Sequence, residues 1–373
     1  MNAASGRFGW SVFTPLTAFA VLLASWGSHP PPVISGFIGV ALIGAVLAAV
    51  HHAEMVAHRI GEPFGSLLLA VAVTVIEVGL IVMLMVSSDG DTSALARDTV
   101  FAAVMITING IVGISLVVGA LRHHLAVFNP EGTGSALATV LVLAGLTMVV
   151  PTFTEGVPGP VFTGTQLAFA AVASLVLYSS FVFTQTVRHR DFFLPVDTVG
   201  LASAPVDIED NGKEGGHAAR PTDRETWRSL GLLIVSLLAV GGLAKVESYA
   251  IEDAVRWLDL PAATVGLVIA LLVLAPESIA AVRAALVNRV QISLNLAYGS
   301  AVASIGLTIP TIAIASIWLG GPLALGLEPI QLVLLGLSAV VGVLTVVPGR
   351  AKPLNGLVHL TLLAAFVFLT VVP

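Results

Sequence analysis

Apolar positions in this chain fall in long unbroken runs, and polar positions collect between them. About 20 consecutive apolar residues are needed for a helix to cross a bilayer. On that measure the pattern predicts eleven spans, at 10–26, 33–56, 63–88, 99–121, 135–150, 164–187, 228–248, 261–287, 292–318, 328–347 and 353–372. The stretch 135–150 is short, and Pro151 is placed to terminate it. The widest polar gap, 188–227, contains Asp207, Glu209, Asp210, Lys213 and Glu214 and has too few apolar residues to pack. It reads as an unstructured linker. The expected fold class is therefore all-α and integral to a membrane, with membrane lipid as its first partner.

Composition agrees. The 373 residues are 57% hydrophobic and 10% charged, against roughly 25% charged in soluble domains. Mean hydropathy is +1.00. The chain has no cysteine, so neither a disulfide framework nor a thiolate metal site is available. Nothing suggests nucleic-acid binding or a resident cofactor. The first span lacks a small-residue cleavage site after Ala24, Ser25 and Trp26, so it reads as a retained helix.

Basic residues orient the spans. With the N-terminus cytoplasmic, the cytoplasmic regions collect 13 of the 16 basic residues, including Arg7, Arg59, Arg122, Arg188 and Arg350. The other side keeps Arg97, Lys245 and Arg256, as the positive-inside rule requires. The linker is then cytoplasmic and the C-terminus periplasmic. Trp10, Trp26, Trp227, Trp257 and Trp318 fall near span ends, where indoles prefer the headgroup zone.

Two carboxylates, Glu77 and Glu277, sit deep inside apolar runs. An ionised side chain at that depth costs at least ~3 kcal/mol and usually marks an ion or proton pathway. Setting the first span aside (1–32), the rest divides into five helices (33–187), the linker (188–227) and five more (228–373). An odd number of spans separates each helix from its counterpart, so the halves have opposite orientation. Inverted repeats of this kind place the ion site near the midplane between them. Glu77 and Glu277 each lie in the second helix of their half. Pro276, just before Glu277, frees a carbonyl in the preceding turn, a feature expected of a broken or closely packed segment.

Residues 52–66, His-Ala-Glu-Met-Val-Ala-His-Arg-Ile-Gly-Glu-Pro-Phe-Gly-Ser, run on through Val75-Ile-Glu-Val-Gly-Leu-Ile81. They resemble the first signature region of ChaA-type cation/proton antiporters, bacterial members of the CAX-like calcium/cation antiporter superfamily. Leu274-Ala-Pro-Glu-Ser278 and the stretch 288–310 are similar to the second signature. The resemblance covers roughly 33–373. It implies exchange of Ca²⁺, and in some members Na⁺ or K⁺, for protons across the bacterial inner membrane, with Glu77 and Glu277 binding the transported ion. It also shows departures. Val73-Thr-Val-Ile76 replaces a Gly-Asn-Ala run, Leu274-Ala-Pro276 stands before the second glutamate, and a glutamine in the next helix is replaced near Ala303. These changes remove amide ligands and leave the preferred ion open.

Two facing carboxylates in a low-dielectric cavity cannot both stay ionised and empty. One divalent cation or two protons neutralises the pair, whereas the empty dianion is costly. Reorientation without cargo is thereby suppressed, and exchange becomes obligatory. Ca²⁺ takes 6–8 oxygens at roughly 2.3–2.6 Å, and the glutamates supply at most four. Candidates for the remainder are Thr74, Asn109, Ser115, Ser278, Ser300 and Ser304. Each competes with an ordinary role in bonding its own i−4 carbonyl or aiding close packing.

His51, His52, Glu54 and His58 lie at the cytoplasmic end of the second span, with Glu62 just beyond. They read either as interfacial capping or as a proton relay and pH sensor formed by His52, Glu54, His58 and Glu62. His359 in the last span reads as a packed, hydrogen-bonded neutral ring. Two other function classes stay open on residues alone. A passive cation channel also uses carboxylates facing a pore. An intramembrane hydrolase needs a nucleophile–base pair, and none stands out.

Overall fold

The structure, a computed structural model, describes residues 9–61, 64–87, 91–196, 222–318 and 322–373. Glu62 and most of the 188–227 linker lie outside them. Lipid offers no partners to backbone N–H and C=O groups, so each apolar run closes its own hydrogen bonds as a helix. The rods are α1 (Trp10–Ser25), α2 (Pro32–Ile60), α3 (Phe64–Ser87), α4 (Leu95–His123), α5 (Pro130–Phe153) and α6 (Gly164–Arg188). After the linker come α7 (Asp223–Trp257), α8 (Ala263–Leu286), α9 (Val290–Ala315), α10 (Pro329–Val346) and α11 (Pro353–Val371). Among the described residues, nine helices are long and apolar enough to cross a membrane, and Trp10–Ser25 and Val71–Val86 are shorter apolar helices. This is a multi-pass membrane protein.

Several helices outrun the apolar pattern, because intrahelical hydrogen bonding continues through polar turns. α7 extends well beyond 228–248 at both ends, and α2 carries His52, Glu54 and His58 within the helix. α5 begins at Pro130 under an Asn129 cap, whose side chain accepts from the backbone of Glu131 and Gly132. It continues through Pro151 by way of a π-helical turn at Gly145–Val149. A second π-helical turn, Ile106–Ile111, lies in the middle of α4. α8 is unbroken across Pro276. The expected interruption there is absent, since the missing N–H removes one hydrogen bond and the neighbouring helices hold the rest.

Two apolar clusters make up the interior. One joins α4, α5, α6, α9, α10 and α11 with one face each of α3 and α8. The other joins α1, α2 and α7 with the opposite faces of the same two helices, through Ile76 and Leu80 on α3 and Ile269 and Val273 on α8. The two glutamate-bearing helices are thus the seam between the clusters. Small residues set the closest approaches. A Cβ on Gly356 of α11 would come 2.5 Å from the Gly113 carbonyl oxygen of α4. A Cβ on Gly266 of α8 would come 2.8 Å from the backbone of Asp98 and Thr99.

The two ends of the bundle are tied differently. On the end that carries the linker, Ala126–Val127 pairs antiparallel with Arg350–Ala351, and Arg59 at the end of α2 bonds Asp223 at the start of α7. At the far end, buried Arg97 donates to Asp98 Oδ1 at 2.8 Å and to Glu328 Oε1 at 3.1 Å, joining the starts of α4 and α10.

A candidate cation and proton site

Glu77 projects from α3 into the seam and is buried. Ser304 Oγ on α9 donates to its Oε1 at 2.6 Å, and Thr308 Oγ1, one turn further along α9, donates to its Oε2 at 3.3 Å. Positions four apart share a helix face, which is why one stripe of α9 reaches both carboxylate oxygens. Glu277 on α8 is only partly buried, but its Oε2 is enclosed and has no hydrogen-bond partner among the described residues. Among the described residues, Glu54 and Glu77 are carboxylates near enough for their charge to act on Glu277.

Both glutamates line one cavity of about 250 Å³. Thr74, Ser300 and Ser304 line it as well. The cavity runs from the glutamates to Gln185 and Thr186 at the end of α6 and to Ile292 and Asn295 at the start of α9. Both of those helix ends lie on the linker face, so the cavity reaches toward that face.

The other sequence candidates sit elsewhere. Ser278 Oγ donates to the Leu274 carbonyl at 2.7 Å, one turn back on its own helix. Ser115 accepts from Ser293 Oγ at 2.6 Å inside the α4–α9 contact. Asn109, on the π-helical turn of α4, donates to Ser338 Oγ at 2.8 Å, and its Oδ1 lies 3.1 Å from His359 Nδ1. His359 Nε2 is 3.2 Å from Thr345 Oγ1, so this ring is fully buried and bonded at both nitrogens. His52 faces α1, with Nε2 2.7 Å from the Ser11 carbonyl. Glu54 and His58 are exposed on α2, and His51 and His58 flank Glu54 electrostatically. These polar groups of α2 therefore divide between the α1 packing surface and the linker face.

Sequence reasoning missed Thr308, although it continues the Ser300 and Ser304 spacing by another four residues. It also missed Tyr178, whose enclosed hydroxyl has no hydrogen-bond partner among the described residues, and the amides Gln185 and Asn295 in the cavity wall. Asn295 Nδ2 donates to the Phe193 carbonyl at 2.6 Å, while Gln291 Nε2 donates to its Oδ1 at 2.8 Å, so this amide is held in place. No group of three or more His, Cys, Asp or Glu arranged to hold a resident metal occurs among the described residues.

Comparison with known proteins bears on what such a cavity does. The family model described as sodium/calcium exchanger protein matches residues 31–187 and 228–372. The chain is 46% identical to y4hA of Sinorhizobium fredii over 332 residues, 89% of this chain and 87% of that protein. It is 32% identical to the sodium-potassium/proton antiporter ChaA of Escherichia coli over 360 residues, 95% of this chain and 94% of that protein. Among solved structures, native YfkE superposes with a TM-score of 0.70 at 15% identity, covering 97% of this chain and 100% of that one.

Proposed function

Because this chain belongs to the sodium/calcium exchanger protein family, we propose that it is a secondary antiporter exchanging cytoplasmic cations for protons at Glu77 and Glu277. Family membership makes it a transporter and removes the hydrolase reading. The observation that carries the site is the single cavity lined by both glutamates together with Thr74, Ser300 and Ser304. A divalent cation seated there neutralises the pair, and so do two protons. Cation and protons therefore compete for the same oxygens. Ser304 and Thr308 hold the Glu77 carboxylate by its two oxygens, which keeps it aimed into the cavity when the cargo leaves.

Alternating access is supported by two features. The cavity reaches the linker-face ends of α6 and α9, and the two apolar clusters meet along α3 and α8, so one cluster can shift against the other with the glutamates at the hinge line. An inverted repeat is supported by matched packing. α4 lies against α11 as α9 lies against α6, and α2 pairs with its own counterpart α7. The two stretches matched by the family model also fall on the two proposed halves. The inner-membrane orientation, with linker and N-terminus cytoplasmic, rests on the basic-residue distribution.

ChaA is named for Na⁺ and K⁺, and YfkE for Ca²⁺. All three cations belong in one assay. In everted vesicles made acid inside, separate addition of each transported cation collapses the pH gradient. Collapse by none of the three would refute the antiporter reading.

A further inference from the structure

A third buried carboxylate lies outside the cavity. Glu247 on α7 is 7% exposed, and its Oε1 is enclosed with no hydrogen-bond partner among the described residues. The apolar pattern put this residue at the very end of a span, but α7 continues to Trp257, so Glu247 is well inside the helix. The nearest charge along the helix, Lys245, is directed away, over the Trp26 ring at 5.1 Å. Tyr249 is taken up by the His29 ring at a centroid distance of 4.4 Å. Ser248 Oγ donates back to the Lys245 carbonyl. None of these polar neighbours compensates Glu247.

Its place in the fold mirrors that of Glu54. Both residues lie toward the second end of the first helix of their half, just before the helix that carries a cavity glutamate. Counting a rise of 1.5 Å per residue from each helix–helix turn, Glu54 sits about 10 Å from Glu77 toward the linker face. Glu247 lies beyond Glu277 toward the far face, at the level of the α1–α2 turn, because its neighbours Lys245 and Tyr249 pack on Trp26 and His29. The two differ in surroundings as the cavity does. On the linker side, toward which the cavity reaches, Glu54 is exposed and within electrostatic reach of Glu277. On the far side Glu247 is enclosed.

We propose that Glu247 is a way-station carboxylate for cations and protons passing between the paired glutamates and the face opposite the linker, the counterpart of Glu54 on the linker side. The proposal rests on the antiporter reading above. Its chemistry is that of an oxygen ligand which a hydrated cation or a proton meets before the cavity. Such a residue acts on one face alone.

The test uses full-length protein in right-side-out and everted vesicles, with Ca²⁺ as the probe cation, or Na⁺ where Ca²⁺ is not transported. Glu247→Gln is expected to raise the apparent KM at the far face at least fivefold and to leave the linker-face KM within twofold. Glu54→Gln is expected to do the reverse. A second arm uses the absence of native cysteine. An anionic methanethiosulfonate reagent applied to Glu247→Cys from the far face should restore the far-face KM, and a cationic reagent should not. Equal shifts at both faces, no shift at either, or labelling from the linker face alone would each overturn the proposal. Absence of wild-type exchange in both vesicle orientations would instead strike the antiporter reading itself.

Discussion

Glu77 and Glu277 face the same cavity but are held by different means. Glu77 accepts hydrogen bonds at both oxygens from α9, whereas Glu277 Oε2 has no partner among the described residues. A carboxylate fixed by hydroxyls is a preorganised ligand, while one with an oxygen left unbonded has that oxygen available to a proton or an ion. Hydrogen bonds to charged groups are worth about 1.5–3 kcal/mol. Ser304→Ala should therefore raise the apparent KM for the transported cation roughly 10- to 100-fold, since ~1.4 kcal/mol is tenfold. Thr308→Ala, which removes a longer bond, should raise it by less. Kinetics of gradient collapse in vesicles measures both, and the opposite order would show that Ser304 does not hold Glu77. Ser278→Ala should leave the KM within twofold, because its hydroxyl is bonded to its own helix.

At the level of elements, close packing depends on small residues where backbones approach. Gly356→Ala drives a Cβ to 2.5 Å from the Gly113 carbonyl oxygen, and overpacking of this kind costs about 1–3 kcal/mol. The detergent-solubilised variant should melt at a lower temperature than wild type, while Gly336→Ala, with no atom within 4 Å of the added Cβ, should not. Most of the helix order was legible in the sequence, since each apolar run of membrane length became a helix near its expected place. Helix ends were less legible, because α2, α5 and α7 continue through polar turns that hydropathy does not score. The π-helical turns were illegible, as they arise from local registry and leave no composition signal. The candidate ligands divided for a related reason. Thr74, Ser300 and Ser304 share the cavity, but Ser115 and Asn109 turn toward α9, α10 and α11, and only the packing of those helices decides which face a residue shows. Glu247 was overlooked because a run of hydrophobicity ended beside it.

For the whole molecule, the seam formed by α3 and α8 places Glu77 and Glu277 where the two apolar clusters meet. The orientation drawn from basic residues is open to a direct check. Ser203→Cys, in the linker of a chain without cysteine, should react with a membrane-impermeant maleimide in everted vesicles and not in right-side-out ones. Competition between cation and protons also has a defined sign. Acidification fills the glutamates with protons, so the apparent KM for the cation should rise as the pH on the binding face falls. The most direct test of the paired-glutamate site is the number of protons released when Ca²⁺, or Na⁺ where Ca²⁺ does not bind, binds to purified protein in weakly buffered detergent solution. At a pH where the empty pair is protonated, wild type should release close to two protons per Ca²⁺ or one per Na⁺, and Glu77→Gln and Glu277→Gln should each lose both tight binding and proton release. Cation binding without proton release, or wild-type binding retained in either variant, would contradict the account.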